Sequence, residues 1–281
     1  MAAAFAAALL AACTTTTTTT TLTPPGATVT APSTSPAPTA ATPAGPKGPL
    51  TILSAGAVEP GMRAVVAAFE RNSGLQVALT FAAAPQLRQR LAEGSTNAEI
   101  VIAPRAVLDE HAAAQRSAAP GPPRVTIGSV GVGVAVREGA PLPDVSSLAA
   151  LQRALLAADR VVYNRASTGE YVDAMLQRLG LAGALQQKTL RVADGAAVMQ
   201  ALRAGNGRDI GLGALTEIAL YRGQGVALAG PLPPEVQNAT LYQAVPTGVG
   251  LPSEAAVLFL GQLGGAQSQA LIRAAGIETL R

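Results

Sequence analysis

The sequence predicts an α/β protein, a two-lobed clamshell in which each lobe is a mixed, mostly parallel sheet flanked by helices. Three observations lead there. Between residues 50 and 114 three β-type runs each lead straight into small, helix-opening residues. The same alternation resumes beyond about residue 145, as expected of a second α/β unit. Two long extended runs, at 124–136 and 240–245, separate these stretches and supply two crossings between lobes.

In chain order, Leu50 to Ala57 reads as a strand followed by the apolar-periodic run Met62 to Phe69. Val77 to Pro85 leads into Leu87 to Leu91, and Glu99 to Pro104 into Val107 to Ala114. The run Arg124 to Val136 is broken by glycines, which suit a bend between lobes. Beyond it a helix is expected over Val145 to Ala157, a strand over Arg160 to Asn164, and a helix over Gly169 to Leu179 stopped by Gly180. A strand at Thr189 to Val192 precedes a helix opened by Asp194 as N-cap and running to Ala204. Asp209 to Leu212, Leu215 to Tyr221 and Val226 to Leu228 give strand, helix and strand. Thr240 to Val245 crosses back, and helices over Ser253 to Leu263 and Gln267 to Ala275 close the chain. Residues 50–128 and 240–281 thus form the expected first lobe, and 129–239 the second. Strand-to-helix turns at the carboxyl ends of parallel strands gather free amides and helix dipoles around one crevice, a setting that favours anions.

Composition narrows the function. The chain has 281 residues, 49% of them hydrophobic, with no Trp and only four Tyr and four Phe, so the core is packed with Ala, Val, Leu and Ile. A net charge of +3 without a basic cluster gives little drive toward nucleic acid, and no nucleic-acid partner is expected. The single histidine, His111, lies in a polar helix edge, Asp109-Glu110-His111-Ala112, and lacks the partners that catalysis or metal binding needs. Gly131-Val132-Gly133 does not open a helix, and in Gly211-Leu212-Gly213 the third glycine is replaced by Thr216, so neither completes a dinucleotide fingerprint. No acid-base constellation is visible. The expectation is a binding protein rather than an enzyme, with no cofactor and no metal; an enzyme on the same two-lobed scaffold is a third class that fold alone does not exclude.

Several short motifs carry a family likeness by their order: Leu53-Ser54-Ala55-Gly56-Ala57, Asn164-Arg165-Ala166-Ser167-Thr168-Gly169-Glu170-Tyr171, Leu179-Gly180-Leu181, Asp194-Gly195-Ala196-Ala197-Val198, and Gly211 with Thr216-Glu217. From about Leu50 to Ile277 the chain resembles the type II periplasmic solute-binding proteins of ABC importers, most of all the molybdate-binding branch. The resemblance implies a monomeric periplasmic protein that captures a small oxyanion, molybdate- or tungstate-like, in an interlobe cleft and delivers it to ABC permease subunits in the inner membrane. It places ligand contacts at Ser54 and Ala55 in the first turn, at Ala83 and Ala84 in the second, and at Ser167, Thr168 and Gly169 in the second lobe. Ala197 and Val198 follow, the family's tyrosine position falls on Ala214, and Arg165 is a candidate counter-ion. Hydroxyl positions of the family at the second turn are alanine here. Two lost hydrogen bonds to a charged guest are worth about 3 to 6 kcal/mol, so the oxyanion's identity stays open. A ligand-sensing lipoprotein of the same fold, binding a different small anion and uncoupled from transport, is the alternative.

The amino-terminal region adds an address. Ala2 to Ala12 is apolar but too short to span a bilayer, and Leu10-Ala11-Ala12-Cys13 resembles the lipobox of bacterial lipoproteins. No Lys or Arg precedes Lys47, so the positive region of a secretory segment is not seen, and an Ala-rich start without function is the other reading. Residues 1–13 are read as the signal and lipobox segment and 14–49 as a Thr/Pro-rich disordered linker with a mean coil span of about 30 to 36 Å. If Cys13 carries a lipid, Cys13→Ala moves the protein from the membrane fraction to the soluble one; fractionation showing no change refutes the anchor.

Overall fold

The computed structural model describes residues 48–115, 123–247 and 251–279, so Cys13 and nearly all of the expected linker lie outside the described residues. Strand β1 (Leu50–Ala55) ends in a single 3-10 turn, Gly56–Val58, and runs into α1 (Glu59–Ser73). Pro60 suits the first turn of α1, where its missing N-H costs nothing. Met62, Val65, Val66 and Phe69 then fall on one buried face, and Gly74, at φ 73°, ends the helix. β2 (Val77–Ala82), α2 (Ala84–Ala92), β3 (Ile100–Pro104) and α3 (Arg105–Ala114) complete the first run.

The long strand β4 (Val125–Arg137) comes next, then α4 (Leu148–Ala157), capped by Ser147 accepting from the Ala150 amide at 3.3 Å. β5 (Val161–Asn164), α5 (Ser167–Arg178), a short α6 (Ala182–Leu185) and β6 (Thr189–Val192) follow. α7 (Gly195–Ala204), β7 (Ile210–Ala214), α8 (Leu215–Leu220), β8 (Val226–Pro231) and the return strand β9 (Ala239–Pro246) lead to α9 (Glu254–Leu263) and α10 (Ala266–Ala274). α6 is absent from the sequence reading because four residues carry too little periodicity to register. α5 begins at Ser167, before the expected Gly169, because its first turn is held by Asn164 from the preceding strand.

Strand order explains the shape. β1 lies between β2 and β3, paired parallel with both, and β5 likewise lies between β6 and β7. β9 and β4 join these groups with antiparallel pairing: β9 pairs with β3 and with residues 125–131 of β4, while residues 132–137 of β4 pair with β7 and β8. One strand therefore serves both halves. Among the described residues three apolar clusters result, one in the first half and two in the second. One gathers Ile52, Met62, Phe69, Ile100, Ile102, Ile127, Tyr242, Phe259 and Ile272, with Phe69 and Phe259 packed edge to face at 5.2 Å. The second half sandwiches its sheet, with Leu151, Leu155, Val172 and Met175 in one cluster and Val198, Met199, Leu202 and Ile218 in another.

Where β4 shifts register between Thr126 and Gly128, Gly128 adopts φ 149° and the chain's last described segment straps onto it. Ser129 N-H donates to Glu278 O at 2.6 Å and Glu278 N-H donates back at 2.9 Å. A β-carbon at position 128 would lie 2.5 Å from Glu278 O, inside contact distance and on a backbone that L-residues avoid. Gly128→Ala is therefore expected to detach this strap and cost more than about 1 kcal/mol, read as a lower urea midpoint; an unchanged midpoint would show the strap to be dispensable.

Candidate functional site

In an open sheet, ligands lodge where strand order reverses, beyond the carboxyl ends of the strands. This chain has two such points. α1 leaves β1 for β2 and α2 leads back to β3 on the other side of β1; α5 leaves β5 for β6 and α7 leads back to β7 on the other side of β5. The two reversals open onto one cavity of about 390 Å³ lined by Ala55, Gly56 and Ala57 from the first and by Asn164, Ala166, Ser167 and Thr168 from the second. Its size suits a small molecule. Among its lining residues none is lysine or arginine.

Backbone supplies the positive field instead. The 3-10 turn after β1 starts at Ala55 and α2 at Ala83, neither of which has a side chain that accepts from the first-turn amides, so these amides are left to the cavity side, whereas in α5 the Gly169 amide is taken by Asn164. Sequence compels this: alanine has no side-chain oxygen with which to consume those amides. α7 differs, since Asp194 accepts from the Ala197 amide at 2.9 Å.

The predicted contacts divide. Ala55, Ala83, Ala84, Ser167 and Thr168 line the cavity. Ser54, Gly169, Ala197, Val198, Ala214 and Arg165 do not. Ser54 is fully buried and its hydroxyl donates to the Ala55 carbonyl at 3.2 Å. The Gly169 amide donates to Asn164 Oδ1 at 3.0 Å, and a β-carbon there would collide with the Asn164 carbonyl, so this glycine exists for close packing beneath the turn. The Ala197 amide is taken by Asp194, Val198 packs in the core with Met199 and Leu202, and Ala214 is buried beneath the start of α8. Arg165 is exposed and off the lining.

Two cavity residues carry chemistry that the motif reading passed over. Glu217, in the first turn of α8, sits between the halves: a β-carbon on Gly56 would lie 3.4 Å from Oε1, and one on Gly195 would lie 2.1 Å from Oε2. Oε2 is sealed from solvent and has no hydrogen-bond partner, although the residue as a whole is only half-buried. Burial, then the nearby Asp194 carboxylate, push its pKa up to about 7 against a hydrogen bond from the Ala214 amide. Tyr242, on β9, is fully buried; loss of solvent holds its phenol above the ordinary range, and its hydroxyl meets Ser167. The signal for Glu217 was present in Thr216-Glu217 after a strand, but nothing local distinguishes a helix-capping glutamate from a functional one.

The halves are tied around this cavity. Thr216 Oγ1 donates to the Ala57 carbonyl at 2.5 Å, buried, and at the rim Arg88 of α2 forks onto Glu170 of α5 at 3.1 and 3.3 Å while also holding Glu110 at 2.7 Å. The rim pair is partly exposed and worth at most about 1 kcal/mol.

The family profile of the bacterial extracellular solute-binding proteins matches residues 50–278, most of the chain. The chain belongs to that family. Solved relatives share the fold of this solute-binding protein at low identity. The Azotobacter vinelandii periplasmic molybdate-binding protein superposes with a TM-score of 0.67 at 17% identity, covering 83% of this chain and 100% of its own. The sulfate-binding protein SubI from Mycobacterium tuberculosis H37Rv does so at 0.61 and 19% identity, covering 83% and 87%. The type II clamshell architecture and an extracytoplasmic location follow from family and fold. One expectation is overturned. An aconitate isomerase from Pseudomonas sp is 29% identical over 237 residues, 82% of this chain and 87% of its own, and it is an enzyme. The sequence reading sought a histidine or a paired set of groups, whereas burial can make one carboxyl an acid-base group with no local mark.

Glu217 gives the solute-binding protein a measurable pH signature. Its folded pKa lies above its unfolded value of about 4.5, so the unfolded chain releases this proton first and stability falls as pH rises from about 4.5 to about 7, by at most about 3 kcal/mol. Glu217→Gln is expected to remove that decline: the difference in unfolding free energy between variant and wild type should grow across this window and level off above it. A constant difference from pH 4.5 to 7.5 would show that Glu217 ionises normally.

Proposed function

We propose that the cleft captures a small polycarboxylate and shifts a proton within it, an isomerisation of the aconitate class. The observation that carries this reading is the presence, in one cavity, of helix-type N-termini at Ala55 and Ala83 without side-chain caps beside the Glu217 carboxyl, whose pKa burial raises to about 7. The helix ends attract carboxylates, each worth about 0.3 to 1 kcal/mol in dipole attraction before any direct hydrogen bond to an amide. A carboxyl poised near the working pH is suited to take and give protons. An isomerisation by proton shift needs no oxidant and no cofactor, which accords with a cavity built from backbone, hydroxyls and carboxyls. The 29% identical aconitate isomerase, aligned over nearly its whole length, supports the substrate class.

A second reading keeps the cleft as the receptor of an ABC importer, holding a molybdate- or tungstate-like oxyanion for a membrane permease from an extracytoplasmic position, tethered through Cys13. The shared fold with the molybdate-binding protein favours it. Ala83 and Ala84 bring no hydroxyls to the cavity, the Ser54 hydroxyl is turned to a neighbouring carbonyl, and an ionised Glu217 repels a dianion that carries no proton.

One panel separates the readings. With cis- or trans-aconitate at a hundredfold excess over Kd, binding adds about 2.7 kcal/mol to stability and raises Tm, and proton NMR of either isomer shows conversion to the other. A Tm rise with molybdate or tungstate and none with aconitate, with no conversion, would replace this reading by the importer reading.

A further inference from the structure

Resting on the proposed capture of a polycarboxylate, we infer that Asn164 is a substrate-binding residue of the second half: its Oδ1 shapes the first turn of α5, and its Nδ2 donates to one carboxylate of the guest beside the Thr168 hydroxyl. Asn164 ends β5, is 2% exposed and lines the cavity. Its main-chain carbonyl accepts from Arg191 Nε at 3.2 Å and lies against Gly169, so the side chain is the part it offers to the cavity.

The orientation of the amide is fixed by its partners. Oδ1 accepts from the Ala166 amide at 3.1 Å and from the Gly169 amide at 3.0 Å. A reversed group would set an NH2 against two N-H donors, so the nitrogen takes the other side. Nδ2 has no hydrogen-bond partner among the described residues, and it is not one of the unpartnered atoms sealed from solvent. Its two hydrogens are therefore free for a guest.

Neighbouring donors complete the set. By taking the amides of residues 166 and 169, Oδ1 leaves those of Ser167 and Thr168, which have no partner among the described residues. Thr168 is 6% exposed and lines the cavity, and its hydroxyl is likewise unpartnered and unsealed. These groups gather at the start of α5, where the helix dipole favours negative charge. The carboxyls of the lining are placed elsewhere: Glu217 between Gly56 and Gly195, Asp194 on the Ala197 amide at 2.9 Å, and Glu59 on Arg63 at 2.7 Å. A carboxylate offers about four lone-pair sites and no hydrogen, which matches a cluster of donors. A carboxamide would set its own hydrogens against them, so the subsite selects the ionised acid.

The test compares wild type, Asn164→Asp and Asn164→Ala by calorimetric titration with trans-aconitate and with molybdate at pH 8, alongside Tm. Asn164→Asp keeps an oxygen for the two turn amides and puts a like charge where the donor stood. It should hold the wild-type Tm and bind trans-aconitate more than about 100-fold more weakly. Asn164→Ala strips the turn amides of their acceptor and should lower Tm, while losing about 10- to 100-fold in affinity. The two variants thus rank oppositely in stability and in binding, whereas a merely structural asparagine would make affinity follow Tm. As a direct readout, the Asn164 side-chain NH2 signals of ¹⁵N-labelled wild type, assigned by their loss in Asn164→Ala, should move downfield on saturation with trans-aconitate. Affinity of Asn164→Asp equal to that of wild type, or NH2 signals that stay in place at saturation, overturns the inference and leaves the isomerase reading standing. Wild type that binds molybdate and not trans-aconitate overturns the isomerase reading; the same opposite ranking with molybdate then upholds Asn164 as the anion donor, and equal affinities overturn it. Wild type that binds neither overturns both.

Discussion

Everything at the site depends on one constraint: in each half the chain order reverses about a central parallel strand, so helices on both sides of that strand must start at its carboxyl end. β1 imposes this on the first half and β5 on the second, and β4, shared between the pairings, brings the two ends face to face. The convergence of helix N-termini is a consequence of topology and needs no particular side chain. This accounts for a cavity without lysine or arginine that is nonetheless suited to anions. It also accounts for alanine at the starts of the 3-10 turn after β1 and of α2, because a serine or aspartate there would spend the amides on the protein itself.

Much of this was legible in the sequence because it rests on patterns with strong local causes. The strand-helix alternation, the Asp194 cap, the Gly180 stop and the glycine-broken crossing run each follow from backbone preference or from periodicity, and the elements fall within a few residues of where those preferences put them. The turns that line the cavity at Ala55, Ala83, Ala84, Ser167 and Thr168 were legible for the same reason: they are strand ends. What local pattern does not carry is direction. Whether Ser54 faces the cavity or its own neighbour's carbonyl depends on the pleat, and whether the Gly169 amide is free depends on Asn164 five residues earlier.

Glu217 and Tyr242 were illegible for a further reason. A glutamate in the first turn of a helix satisfies every local rule as a capping residue, and a tyrosine in a crossing strand satisfies every local rule as core. Their distinguishing property is environment: one oxygen closed off between Gly56 and Gly195, one phenol buried against Ser167. Those environments arise from residues about 20 to 160 positions away, and a linear reading has no access to them. The expectation of a binding protein rather than an enzyme is overturned by the 29% identity to an aconitate isomerase, a relation that no local motif of this chain announces.

The two electrostatic demands of the site pull against each other, and their balance bears on why the carboxyl is buried at all. Helix ends favour negative charge in the cavity, yet an ionised Glu217 beside a bound polycarboxylate disfavours it. Burial eases the conflict by raising the pKa of Glu217 to about 7, which lowers the share of ionised carboxylate beside the helix ends. An exposed glutamate with an ordinary pKa would repel the guest at all working pH values and would be too weak a base for a carbon acid. The unpartnered Oε2 is costly to the fold, and a carboxyl kept largely neutral by burial opposes negative charge in the cavity less than an ionised one would.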